Sequence, residues 1–172
     1  GNFFTVREIC EQYDPQVLRF FMLNSHYRSP LNFSRDLMEA AKNALERIVT
    51  AVDQLEYFKE INKSKEMTEE EQQALKEAEQ LVQKFMDAMD DDFNTADAIA
   101  AIFELVKLAN ISCSSNSSLE FVSAISDKIC SLCDILGLIV RKEKELLDEE
   151  IEKLIQERQE ARKNKNYARA DE

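Results

Sequence analysis

Two glycines (Gly1 and Gly137) and two prolines (Pro15 and Pro30) in 172 residues constrain this chain more than any other feature. A sheet protein needs a turn residue at nearly every corner, so such scarcity predicts long helices joined by few tight turns. It also excludes the glycine-rich phosphate loops of nucleotide enzymes, because neither a P-loop nor a dinucleotide fingerprint can be written without glycine. With 44% hydrophobic residues, a chain of this length can bury a core without disulfides or metals. No apolar run approaches the roughly 18 residues that a membrane-spanning helix requires.

The helix boundaries are marked in the sequence. Thr5-x-x-Glu8 is a capping box, and Phe4 with Ile9 is placed as a hydrophobic staple. This first helix should run to about Tyr13. Asp14-Pro15 starts a second, with Asp as N-cap and Pro where a missing N–H costs nothing, and Ser29-Pro30 requires it to end near Ser25. Ser34 caps a long third helix, with Phe33 and Met38 as its staple. Leu37, Ala41, Leu45, Ile48, Val52 and Leu55 form a predicted apolar stripe. Thr68-x-x-Glu71 opens a fourth helix, striped by Leu75, Ala78, Val82, Phe85 and Met89. Asp90 to Asn94 breaks the pattern, and Asn94 or Thr95 caps a fifth helix carrying Ile99, Ile102, Phe103 and Val106. A serine-rich loop, Ser114 to Ser118, precedes a sixth helix with Val122, Ile125, Ile129, Leu132 and Leu136, which Gly137 stops. Glu149 to Asn164 reads as a seventh, thinly amphipathic helix, and Asn166 could cap another. The fold class is therefore all-α: a two-helix lead-in module over 1–33, an antiparallel bundle of four long helices over 34–140, and a charged C-terminal helix in 141–172.

The net charge is −12 but unevenly spread. Residues 1–65 hold nine basic and nine acidic side chains, residues 66–140 four against fifteen, and residues 141–172 nine against ten. A polyanion could thus sit only on the first 65 residues or the last fifteen. Two segments offer cations there. His26-Tyr27-Arg28-Ser29-Pro30 is short and nonhelical, with Arg19 and Arg35 nearby, and combines an aromatic with phosphate donors. Arg158, Arg162, Lys163, Lys165 and Arg169 are opposed only by Glu160. The four cysteines, Cys10, Cys113, Cys130 and Cys133, lack the second pair a zinc site needs and read as buried, reduced thiols. Asp90-Asp91-Asp92-Phe93-Asn94 has calcium-like spacing, but Thr95 stands where the loop wants Gly and Ala101 where it wants a bidentate Glu. Its carboxylates are better placed to accept from N–H groups at the next helix start. His26 is the lone histidine, with no nucleophile or carboxylate in triad order. No signal peptide is visible, the Asn32-Phe33-Ser34 sequon carries no weight without one, and a cytoplasmic location is expected. A start at Gly1 without Met and an end within a charged run suggest a piece of a longer protein.

Several strings resemble one family. Gly1-Asn2-Phe3-Phe4-Thr5-Val6-Arg7, Tyr13-Asp14-Pro15 with Leu18-Arg19-Phe20-Phe21, and His26-Tyr27-Arg28-Ser29-Pro30-Leu31-Asn32-Phe33-Ser34 occur in order. Met89-Asp90-Asp91-Asp92-Phe93-Asn94-Thr95, Arg158-Gln159-Glu160-Ala161-Arg162-Lys163 and Tyr167-Ala168-Arg169-Ala170-Asp171-Glu172 follow. Together they resemble the bacterial cysteinyl-tRNA synthetases after their KMSKS loop: a stem-contact module, then a DALR-type anticodon-binding bundle, then entry into a small C-terminal domain. One departure matters, because the Asp-Ala-Leu-Arg string of that bundle reads Asp97-Ala98-Ile99-Ala100 here and lacks the Arg.

The resemblance implies a tRNA-binding stretch of an enzyme that ligates cysteine to its tRNA with ATP, and so a part in protein biosynthesis. The catalytic Rossmann domain, its HIGH and KMSKS motifs and its zinc ligands would precede Gly1. By itself this chain should be inactive, with no catalytic residue, metal or cofactor of its own; ATP with Mg and one zinc would belong to the parent. The expected partner is the tRNA for cysteine, with no membrane and no DNA, and the expected state is a monomer. The residues expected to touch tRNA are His26, Tyr27, Arg28, Arg35, Arg158, Arg162, Lys163, Lys165 and Arg169. A second reading remains open from the residues alone: an acidic helical bundle that binds partner helices and has no nucleic-acid role.

Overall fold

The computed structural model describes residues 6–25 and 33–141. Within them lie six α-helices and no strand: α1 Val6–Gln12, α2 Pro15–Leu23, α3 Arg35–Ile61, α4 Glu69–Asp90, α5 Thr95–Ser112 and α6 Leu119–Ile135. Thr5, Phe4 and the proposed helices beyond residue 141 lie outside the described residues.

The caps explain most of these boundaries. The Asp14 side chain accepts from Gln16 N, Ser34 from Leu37 N, Asn94 from Asp97 N and Ser118 from Phe121 N. Thr68 and Glu71 close a reciprocal capping box. At the far end of α6, Gly137 adopts φ +67°, Gly137 N donates to Asp134 O and Leu138 N to Cys133 O. That pair of bonds is a Schellman stop, which needs a left-handed residue at this position.

The four long helices run alternately up and down. Asn62, just after α3, donates through Nδ2 to Ser114 O just after α5, and Leu119 N at the start of α6 donates to Lys63 O. Glu71, in the first turn of α4, bonds to Ser118. The ends of α3 and α5 and the starts of α4 and α6 therefore share one end of the bundle. α3 packs on α6 and α4 on α5, α6 also meets α4, and α5 lies more lightly against α3. Although consecutive, α3 and α4 do not pack together; they occupy a diagonal, and residues 62–68 cross the bundle end to join them. Lys65 Nζ, donating to Asn116 O, helps pin that crossing.

The apolar stripes meet in one core that includes Phe20, Ile48, Val52, Phe85, Ile102, Leu105, Phe121, Ile125 and Ile129. Burying each such side chain is worth about 1.5–3 kcal/mol, far more than helix propensity supplies. Two sequence expectations need correction. Leu37 is 46% exposed and Met38 is 2% exposed, so the α3 stripe begins at Met38. With the helix starting at Arg35, Met38 is the fourth helical residue and lies below Ala41 and Leu45, while Leu37 is rotated away. Cys10 is exposed, unlike the other three thiols, because it faces away from Ile9, which α1 buries. The expected cap at Asn94 is in place, its amide oxygen accepting from Asp97 N.

Candidate nucleic-acid interface

Of the nine residues expected to touch tRNA, only Arg35 falls among the described residues; His26, Tyr27, Arg28, Arg158, Arg162, Lys163, Lys165 and Arg169 lie outside them. Arg35 is the first residue of α3 and exposed. A cation there opposes the helix dipole, so its charge does not serve the helix. Asp36 in the same turn offsets it. Arg35 borders a cavity of about 140 Å³ with Ile9, Gln12, Tyr13, Phe33, Ser34 and Met38. Tyr13 Oη donates to Glu39 Oε1 at 3.0 Å. Partial burial, and then the Glu39 carboxylate, push the Tyr13 phenol above its ordinary value, so it remains a neutral donor at physiological pH.

A larger depression lies between α3 and α5, whose light packing leaves a groove of about 930 Å³. Its floor is Ala51 and Val106, and its walls carry Asn43, Arg47, Thr50 and Gln54 from α3 and Phe103, Lys107 and Asn110 from α5. The Arg47 guanidinium carbon stands 5.2 Å from the centre of the Phe103 ring. Phe103 in turn meets buried Phe20 of α2 edge-on, with ring centres 6.3 Å apart. The groove also carries two carboxylates, Glu46, which lies 4.0 Å from the exposed Lys42, and Glu104, which pairs with Lys84 at 2.6 Å. Among the described residues, neither Arg47 nor Lys107 makes an ion pair. Neither was singled out by sequence, since sixty residues separate them and neither sits in a basic run.

The lead-in helix is bonded to the opposite end of the bundle from Glu71. Arg19 Nε donates to Leu136 O at 2.8 Å, Thr95 Oγ1 to Leu23 O at 2.6 Å, and Ile139 N to Gln16 Oε1 at 3.0 Å. The first two satisfy carbonyls at the ends of α6 and α2 that the helices themselves leave unpaired, and the third satisfies the Ile139 N–H beyond α6. The same end carries the α4–α5 turn. There Asp92 and Phe93 take φ of 57° and 54°, and the Phe93 ring is 73% exposed. Left-handed backbone is costly for residues other than glycine, most of all for a bulky one.

No three His, Cys, Asp or Glu residues converge into a metal-holding group among the described residues. The three core cysteines do not suit zinc, which binds thiolate. Burial, then nearby negative charge, pushes the Cys113 and Cys133 thiols up to about 12. Cys130 is also raised, mainly by burial.

The amino-acid sequence matches known families. Residues 84–141, from late α4 through α6, match the DALR domain family. Residues 1–43 match the family of class I (C) tRNA synthetase catalytic domains, a match that runs into α3. The cysteine–tRNA ligase of Lachnospira eligens is 60% identical over all 172 residues. Those of Lachnoclostridium phytofermentans and Clostridioides difficile are 55% and 46% identical, again over the whole chain. The chain spans only 36%, 38% and 37% of these relatives, respectively. From end to end, then, this chain is homologous to one stretch of the cysteine–tRNA ligases.

Proposed function

We propose that the chain is the tRNA-binding stretch of a cysteine–tRNA ligase, the whole enzyme joining cysteine to its tRNA at the expense of ATP. The observation that carries this reading is 60% identity to such a ligase along the entire chain, with a DALR domain match from late α4 through α6. In this division, residues 1–33 are the stem-contact module, 34–140 the anticodon-binding bundle and 141–172 the lead into a further domain. His26, Tyr27, Arg28, Arg35 and the cluster Arg158, Arg162, Lys163, Lys165 and Arg169 touch the tRNA, with Arg28 and Arg162, Lys163 and Lys165 on its backbone. ATP, its Mg and a zinc belong to the rest of the enzyme, since the buried thiols here fit no metal. The enzyme works in the cytoplasm as a monomer, on RNA rather than DNA.

An acidic total suits this role. Affinity for RNA comes from a few phosphate contacts, and negative charge elsewhere limits adhesion to other polyanions. In the ligase that carries this stretch, Arg28→Glu, or reversal of Arg162, Lys163 and Lys165 together, should raise KM for tRNA while leaving cysteinyl-adenylate formation unchanged. Unaltered tRNA kinetics in both variants would remove these residues from the interface.

A further inference from the structure

We propose that Arg141 is a positioning residue: it clamps the chain across the α3–α6 seam and so fixes the point from which the cations Arg158, Arg162, Lys163, Lys165 and Arg169 are tethered. This rests on the tRNA-binding reading and deepens it. The first argument is the path of the chain. α6 ends at Ile135, and the left-handed Gly137 turns the backbone round. Leu138 and Val140 are then buried, at 1% and 3% exposure, with Ile139 between them 68% exposed. Such alternation belongs to an extended segment lying on the core. Arg141 next bonds to Asp127, which stands about 12 Å back along α6 from Ile135. The chain therefore doubles back beside α6 instead of leaving the bundle at its end.

What the guanidinium holds is the second argument. Arg141 Nη2 donates to Asp127 Oδ1 of α6 at 2.6 Å, and its Nε stands 3.6 Å from Glu56 Oε1 of α3. The same Glu56 oxygen accepts from Ser126 Oγ of α6 at 2.7 Å and from Lys59 Nζ of α3 at 2.9 Å, so that carboxylate is itself fixed from both helices. A planar fork can meet two carboxylates on different helices, which the single point charge of a lysine does less well. Burial of Leu138 and Val140 holds the backbone without direction, and Arg141 adds direction at the last residue of the DALR match. Residues 142–157 separate it from Arg158. A tethered binding element gains effective concentration only when its origin lies within reach of the target. With both carboxylates engaged, Arg141 serves the tether and is not itself a phosphate contact.

The test measures KM for tRNA and cysteinyl-adenylate formation in the ligase that carries this stretch, for Asp127→Asn, Arg141→Gln and Asp127→Glu. Asp127 and Arg141 are both exposed, so the variants should fold, which circular dichroism checks. Asp127→Asn and Arg141→Gln should each raise KM for tRNA about threefold to fivefold, the range of an exposed ion pair. Adenylate formation should not change, and Asp127→Glu, which keeps a carboxylate, should stay close to the parent. In the 172-residue chain, trypsin should cut after Arg141 faster in Asp127→Asn, because the side chain is released. The sign of the KM change is decisive. Asp127→Asn removes a negative charge, so if Arg141 touched phosphate itself, or if only net charge mattered, KM would fall. A KM that falls or does not move in Asp127→Asn overturns the clamp, even if Tm shifts, since the pair would then be structural only. Reversal of Arg162, Lys163 and Lys165 is the reference. If that reversal raises KM and Asp127→Asn does not, the clamp is wrong while the tRNA reading stands; if the reversal has no effect, both fall.

Discussion

Replacing Glu71 should unfasten two helix starts at once. This carboxylate is buried where the beginnings of α4 and α6 meet. Its Oε1 accepts from Ser118 N at 2.8 Å, and its Oε2 from Ser118 Oγ at 2.9 Å and from Thr68 N at 3.1 Å. Burial pushes its pKa up, but the Ser118 and Thr68 bonds and the charge of Lys65 outweigh that, and the group lies below its ordinary value. In Glu71→Ala, Thr68 N can turn to water at the surface. Ser118 is fully buried, so its N–H is left without a partner at about 2 kcal/mol. Loss of the capping box adds about 1 kcal/mol. A total of about 3 kcal/mol should lower Tm by roughly 6–12 °C for a chain of this size. Glu71→Gln keeps an acceptor but points N–H groups at donors, and should cost about 1–2 kcal/mol.

The pH dependence carries its own sign. A carboxyl depressed in the folded state contributes fully above its unfolded pKa, and that contribution is lost as pH falls through the lower folded value. The stability gap between parent and Glu71→Gln, measured by urea denaturation, should therefore be constant at neutral pH and shrink as the solution is acidified below about 4.5. A gap under about 0.5 kcal/mol at pH 7, within the range of an ordinary surface substitution, or one that does not change on acidification, would refute the reasoning.

Two further outcomes follow from the backbone. Gly137→Ala should cost about 1–2 kcal/mol for a left-handed Cβ, and more if Arg19 must withdraw, because that Cβ would stand 2.5 Å from Arg19 Nη2; an unchanged urea midpoint would dispute the Schellman stop. Phe93→Gly should instead stabilise the chain by up to about 1 kcal/mol, since it relieves left-handed strain at a mostly exposed ring. A lower Tm in thermal denaturation would show that the ring contributes packing after all.

Much of the architecture was legible before any coordinates. Capping at Asp14, Ser34, Thr68 with Glu71, and the stop at Gly137 are local chemistry, decided by which side chain can reach an unpaired N–H within three residues or which backbone can turn left-handed. The periodic stripes of α3 to α6 were equally legible, because burial selects one face of a 3.6-residue repeat. Leu37 was misplaced because two apolar residues stand side by side and only packing against the neighbouring helices decides which turns inward.

What the amino-acid order could not convey is how far-apart positions meet. In sequence Glu71 closes a capping box on α4 and Ser118 stands in a serine-rich loop; that Ser118 caps α6 and that one carboxylate serves both starts depends on α4 and α6 beginning at the same end of the bundle. Arg47 and Phe103 likewise come together only because α3 and α5 lie side by side while α3 and α4 are held on a diagonal. Local hydrogen bonding and hydrophobic periodicity are short-range and so are written along the chain. Helix pairing is a competition among stripes of similar apolarity, and only the packed core settles it.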